Sequence, residues 1–120
     1  MDATDGAVAG TRPRSRTEER EDRVKLSMTL SYAGGFAESA RQAAELEKVG
    51  LDVVWVAEAY SFDAPSFMGY LAAKTERVEI GSAILPIYSR TPTLIAMTAA
   101  GVDAVSGGAA FSASEPRAPR

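Results

Sequence analysis

Polar and apolar residues alternate singly from Lys25 to Ser31, K-L-S-M-T-L-S. That period of two predicts a strand. Tyr32, Ala33, Gly34 and Gly35 break it with turn residues. From Phe36 to Val49 the period lengthens: Phe36, Ala40, Ala43, Ala44 and Leu46 fall on one helical face. Glu38, Arg41, Gln42, Glu45 and Lys48 fall on the other, and Gly50 stands where a helix ends. Leu51 to Ala57 reads L-D-V-V-W-V-A, a near-continuous apolar run that predicts a strand buried on both faces. A second helix is nominated from Asp63 as N-cap, with Pro65 in its first turn and Phe67, Met68, Leu71 and Ala72 inward. Val78 to Ile87 predicts a third strand with its C-terminal loop. Thr91-Pro92 then opens a third helix with Leu94, Ile95, Thr98, Val102 and Val105 at three- and four-residue steps. Gly107-Gly108 closes it.

The order β-α-β-α-β-α, with short connections and no hairpin signal, predicts an α/β fold with a parallel sheet and right-handed crossovers. Doubly wound sheets and (β/α)8 barrels both fit that order. Composition narrows the chemistry more than the fold. The 120 residues contain no Cys and no His, which excludes disulfides, thiolate nucleophiles, imidazole bases and the commonest zinc ligands. A net charge of −3 and a pI near 5.0 give no footprint for nucleic acid. No apolar run approaches the about 20 residues of a membrane span, and no signal-peptide pattern is present. A cytoplasmic protein is expected. Residues 1–23 hold five Arg and six acids with almost no apolar content, so a solvated, disordered polar tail is expected there. Val24 is an alternative first residue.

Ligands of parallel α/β folds gather beyond the C-terminal ends of the strands. Three segments lie there: Ser31 to Gly34, Glu58 to Ser61, and Gly81 to Ala83 with Tyr88 to Arg90. Glu58 follows a core run with no cation beside it in sequence. It reads either as a carboxylate facing substrate or cofactor or as a rim residue capping a backbone N–H. Gly81-Ser82-Ala83 interrupts a branched strand with small residues. Close approach of a ligand, or a bulge or tight fit to a neighbour, would each require that. Gly34-Gly35 reads as a turn ahead of an anion site. Trp55 reads as core, and Tyr60, Tyr88 and Arg90 as loop residues.

The segments V-V-W-V-A-E-A-Y, V-E-I-G-S-A-I-L-P-I-Y-S-R-T-P and A-M-T-A-A-G-V-D-A-V-S-G-G resemble the luciferase-like monooxygenase superfamily. Within it they look closest to the oxidoreductases that use the deazaflavin coenzyme F-420. The resemblance runs from Val24 to Gly108 and implies the first three βα units of a (β/α)8 TIM-type barrel, incomplete at three units. It implies hydride transfer or oxygenation with a small organic substrate, coenzyme F-420 as cofactor and FMN as the alternative, and leaves room for a homo-oligomer. Ser82 and Ala83 match a small-residue pair that carries a non-prolyl cis peptide behind the ring of the cofactor. Glu58, Ala59 and Tyr32 would line the pocket. Ala59 stands where many members have His, so the acid–base role of that His does not transfer, and no catalytic residue is assigned. Members continue S-G-G-R-F into a glycine-rich fourth strand. Here Ser106-Gly107-Gly108 is followed by A-A-F-S-A-S-E-P-R-A-P-R. Residues 109–120 are therefore expected to be an aberrant, disordered tail arising from a changed reading frame, and the chain to be inactive alone.

Overall fold

A computed structural model of the chain describes residues 13, 15, 23–59, 61–108 and 110–111. Most of the expected polar tail over 1–23, Tyr60, and positions 109 and 112–120 lie outside them. Four strands and three helices follow one another: β1 (Ser27–Leu30), α1 (Phe36–Lys48), β2 (Val53–Ala57), α2 (Ala64–Lys74), β3 (Glu79–Ile84), α3 (Pro92–Val105) and β4 (Ala110–Phe111). Every pairing is parallel and the spatial order is β1-β2-β3-β4. Right-handed crossovers between strands taken in unbroken order place all helices on one face. A doubly wound sheet needs a reversal of order, and none occurs among the described strands. The sheet is therefore a segment of the barrel type.

Local sequence explains three of the helix ends. Asp63 caps α2 by accepting from the Ser66 N–H at 2.9 Å, with Pro65 in the first turn. Thr91 caps α3 through its hydroxyl, which accepts from the Leu94 N–H at 3.2 Å, ahead of Pro92. Gly50 follows α1 at φ 112°, a left-handed backbone that side chains strain to adopt.

The core lies between the sheet and the helices. Val54 and Val56 of β2 and Ile80 of β3 pack with Phe67, Leu71 and Ala72 of α2 and Ala40 and Ala43 of α1. Side chains alternate across a strand, so Thr29, Trp55 and Gly81, which share a register row, occupy the opposite face. Burying Phe67, Leu71 or Ile80 contributes about 1.5–3 kcal/mol each. The inward face expected of the third helix is narrower than its sequence suggests. Val102 is buried, whereas Leu94, in the first turn, is 41% and Val105, the last residue of the helix, 61% exposed.

The N-terminal ends of the strands are tied by charge. Asp52 accepts from the Leu26 N–H at 2.9 Å and pairs with Arg23, while Lys25 pairs with Glu79 at 2.8 Å. Glu47, buried at the end of α1, receives the N–H groups of Glu76 and Val78 at 3.2 and 2.6 Å and that of Arg77. Burial pushes its carboxyl pKa up, but these three donors outweigh burial and leave it below the ordinary carboxylate value.

Candidate functional site

Beyond the C-terminal ends of β2 and β3 an open cleft of about 720 Å³ lies between the β2–α2 and β3–α3 loops. Its walls are apolar where Phe62, Ile84, Leu85 and Ile87 face it, and polar at Glu58 and Asp63. Phe62, Ile84, Ile87 and Tyr88 are more than half exposed.

Glu58 anchors the polar side. Its backbone N–H donates to the Ile84 carbonyl at 3.0 Å, carrying the β2–β3 ladder past the strand end. Its Oε2 accepts from the Ala64 N–H at 2.8 Å and from Arg90 Nη2 at 2.9 Å. The rim reading of Glu58 is thus correct in part: it caps the first turn of α2. The cation absent from its sequence neighbourhood arrives thirty-two positions later. Arg90 Nη2 also binds Asp63 Oδ1, so one guanidinium joins both loops. The Arg90 side chain is only 11% exposed, and its Nε is buried without a partner among the described residues. Hydrogen bonds that Arg90 donates to Asp63, then to Glu58, hold its pKa above the usual value. Asp63 is held below the carboxylate range by the Ser66 hydroxyl at 2.7 Å and then by Arg90.

Tyr32, expected to line the pocket, is instead 3% exposed in the core. Its ring stacks on Phe67 at 4.8 Å and meets Phe36 edge-on at 5.8 Å. Its hydroxyl donates to the Ala57 and Phe62 carbonyls at 2.9 and 3.2 Å, and burial pushes its pKa up. It supports the β2–α2 loop from beneath. Ala59 is exposed beside Glu58.

The small residues of β3 divide. An added Cβ at Gly81 would stand 2.5 Å from Cζ3 and 2.6 Å from Cε3 of Trp55, so Gly81 is small because the indole lies over it. Trp55, expected in the core, is only partly buried and fills that space from the helix-free face. Ser82 pairs with Val56 and Ile84 with Ala57, which leaves Ala83 as the extra residue of a bulge. The cis peptide expected at Ser82–Ala83 is corrected by the structure: no peptide bond there is cis. The one-residue register change accommodates the extra residue instead. Ser82 is partly buried and Ala83 exposed. Gly34-Gly35 forms a turn in which the Gly35 N–H donates to the Tyr32 carbonyl at 3.0 Å.

Sequence reasoning brought Glu58, Ala59, Ser82 and Ala83 to one end of the sheet, and the structure agrees. It missed Asp63 as an Arg90 partner and the wall of Ile84, Leu85 and Ile87. A chain-distant ion pair leaves no local signal, whereas L-P-I-Y carried a visible one in its exposed apolar residues around Pro86.

A family model for luciferase-like monooxygenases matches residues 11–110. A protein of Mycobacterium tuberculosis named as a coenzyme F-420-dependent oxidoreductase is 37% identical over 89 residues. That stretch is 71% of this chain and 25% of the relative. Among solved structures, the coenzyme F-420-dependent tetrahydromethanopterin reductase of Methanopyrus kandleri superposes with a TM-score of 0.71 at 23% identity, over 75% of this chain and 26% of its own. The oxygenating constituent of 3,6-diketocamphane monooxygenase from Pseudomonas putida, in complex with FMN, superposes with a TM-score of 0.63 at 14% identity, over 73% and 28%. The chain thus spans about a quarter of the length of each of these relatives. At those identities the two structures establish the fold alone. No helix of the described residues is long and apolar enough to cross a membrane, and none of them form a His, Cys, Asp and Glu cluster able to hold a metal ion.

Proposed function

The chain belongs to the luciferase-like monooxygenase family, and we propose that it corresponds to the N-terminal part of a deazaflavin-dependent oxidoreductase acting on a small organic substrate. The 37% identity to a named coenzyme F-420-dependent oxidoreductase carries the choice of cofactor. The local structure fits a flat conjugated ring. Ser82 and Ala83 present small side chains at the end of β3, and Ile84, Leu85 and Ile87 continue an apolar surface from them. Ser82 and Ala83 would back the ring, with Glu58 and Ala59 at its margin. When bound, the deazaflavin supplies hydride transfer.

The chain's own residues provide position and charge. Arg90 draws the β2–α2 loop, through Glu58 and Asp63, against the loop that carries Arg90 itself. Tyr32 ties the first of these loops to the strand before it, its hydroxyl donating to the Ala57 carbonyl at the end of β2 and the Phe62 carbonyl in the loop. Both restraints narrow the range of cleft shapes before a ligand arrives. The four strands of the described residues do not close an eight-stranded barrel, which supports assigning the proposed activity to a longer barrel rather than to these 120 residues alone.

The Pseudomonas putida structure with FMN favours a second reading, an FMN-dependent monooxygenase. A chimera separates the two: residues 24–108 replace the matching quarter of the Mycobacterium tuberculosis relative, and coenzyme F-420 and FMN are titrated by fluorescence. Stoichiometric deazaflavin binding with loss of F-420 absorbance on turnover is expected. Tight FMN binding without deazaflavin binding sinks the first reading.

A further inference from the structure

Resting on the reading of this cleft as part of an oxidoreductase's active site, whose walls lie beside the ring's margin, we infer that it selects uncharged, largely apolar molecules carrying one O–H or N–H donor and rejects carboxylates. The charge count decides the sign. Two carboxylates, Glu58 and Asp63, face one guanidinium, Arg90, and no lysine lines the cleft. The polar side therefore keeps one net negative charge beside walls of Phe62, Ile84, Leu85 and Ile87. A carboxylate ligand seated against these walls meets that charge at close range, partly screened by the solvent the open cleft admits.

The hydrogen-bonding geometry supplies the second half. Among the described residues, both hydrogen bonds to the Glu58 carboxylate fall on Oε2, which leaves Oε1 to accept. Glu58 cannot turn away without breaking its bonds to the Ala64 N–H and to Arg90. Arg90 cannot leave without releasing Asp63. A carboxylate oxygen held in place beside an apolar wall accepts from a donor attached to a hydrocarbon body. A site built to hydrogen-bond such a donor rejects analogues that lack it, because the acceptor would be left unpaired. In this arrangement Arg90 is a positioning residue and Glu58 the recognition group.

The test is an amide-resolved NMR titration of the 15N-labelled 120-residue chain with hexan-1-ol and, separately, hexanoate at neutral pH. Hexan-1-ol is expected to shift the amides of Glu58, Ile87, Tyr88 and Ser89, and to bind on the order of tenfold more tightly than hexanoate, the order that one unit charge repelling another across a solvated few ångströms produces. Glu58→Gln keeps the volume and an acceptor for the Ala64 N–H but removes the charge, and is expected to collapse the ratio toward unity. Retention of the Ala64 amide shift in that variant verifies that the loop is intact. Equal or tighter binding of hexanoate, a ratio unmoved by Glu58→Gln, or no cleft shifts with either compound overturns the inference. Neither deazaflavin nor FMN enters this titration, so its failure is distinguishable from failure of the chimera.

Discussion

Single residues hold the two ends of the sheet in different ways. At the N-terminal end Glu47 accepts three consecutive backbone N–H groups from inside the fold. Its sequence setting, A-E-L-E-K, gives no hint of this, because a glutamate near a helix end normally faces water. Glu47→Gln is expected to destabilise the chain by about 1–3 kcal/mol, the cost of weakening hydrogen bonds to a buried charged acceptor, read as a lowered midpoint in urea. The folded pKa lies below the unfolded one. The stabilisation is therefore present in full above the unfolded carboxylate pKa, and is lost as pH falls through the lower folded value. The wild-type advantage over Glu47→Gln should accordingly vanish on acidification and persist at neutral pH. A difference that instead grows in acid contradicts the assignment. In the middle of the sheet, Gly81→Ala puts a methyl group against the Trp55 ring and should cost about 1–3 kcal/mol as overpacking. The penalty should largely disappear in a Trp55→Leu background. An equal penalty in both backgrounds would mean that the indole is not what keeps position 81 small.

At the scale of elements, the caps and periods were the most readable features. Asp63 and Thr91 act as N-caps where their sequence settings predict them, and Phe67, Met68, Leu71 and Ala72 are buried as their spacing requires. Thr91→Ala removes one capped N–H and is expected to lower stability by about 1 kcal/mol. Asp63→Ala should cost more than Thr91→Ala, since it also removes one partner of Arg90. Paired urea melts compare them, and the reverse order would argue that the Arg90–Asp63 pair adds nothing. Strand ends were less readable. β1 and β2 begin at Ser27 and Val53, two residues inside the apolar runs, because Leu26 and Asp52 are engaged in loop bonds across the strand starts. The pairing of Ala110 and Phe111 with Ile80 and Gly81 lies in a segment whose composition predicts no strand. Ladder bonds use only backbone groups, so a short strand can form there without an apolar pattern.

For the whole molecule, the unbroken order β1-β2-β3-β4 has a consequence that no single element shows. With every helix on one side, the other face of the sheet carries Thr29, which is exposed, and Trp55, which lies partly buried over Gly81. The sequence L-D-V-V-W-V-A announced a strand with two buried faces; the described residues bury Val54 and Val56 on one face and Val53 on the other, and leave Trp55 partly exposed. Barrel interiors are filled by layers of side chains from several strands, and this is the face that a closed barrel would turn inward. Trp55 is the sole tryptophan and reports on that face directly. In the 120-residue chain its emission should be red-shifted and readily quenched by acrylamide, and a hydrophobic dye should bind to the native state. Trp55→Glu should abolish most dye binding while leaving the urea midpoint near the wild-type value, because the indole packs outside the main core. Dye binding that survives Trp55→Glu, with a broad non-cooperative melt, would instead indicate a loosely packed state in which the helices have separated from the sheet. In the chimera, closure of the barrel should shift the emission to the blue and suppress quenching. Trp55 emission unchanged between the two proteins would show that this face is not the barrel interior.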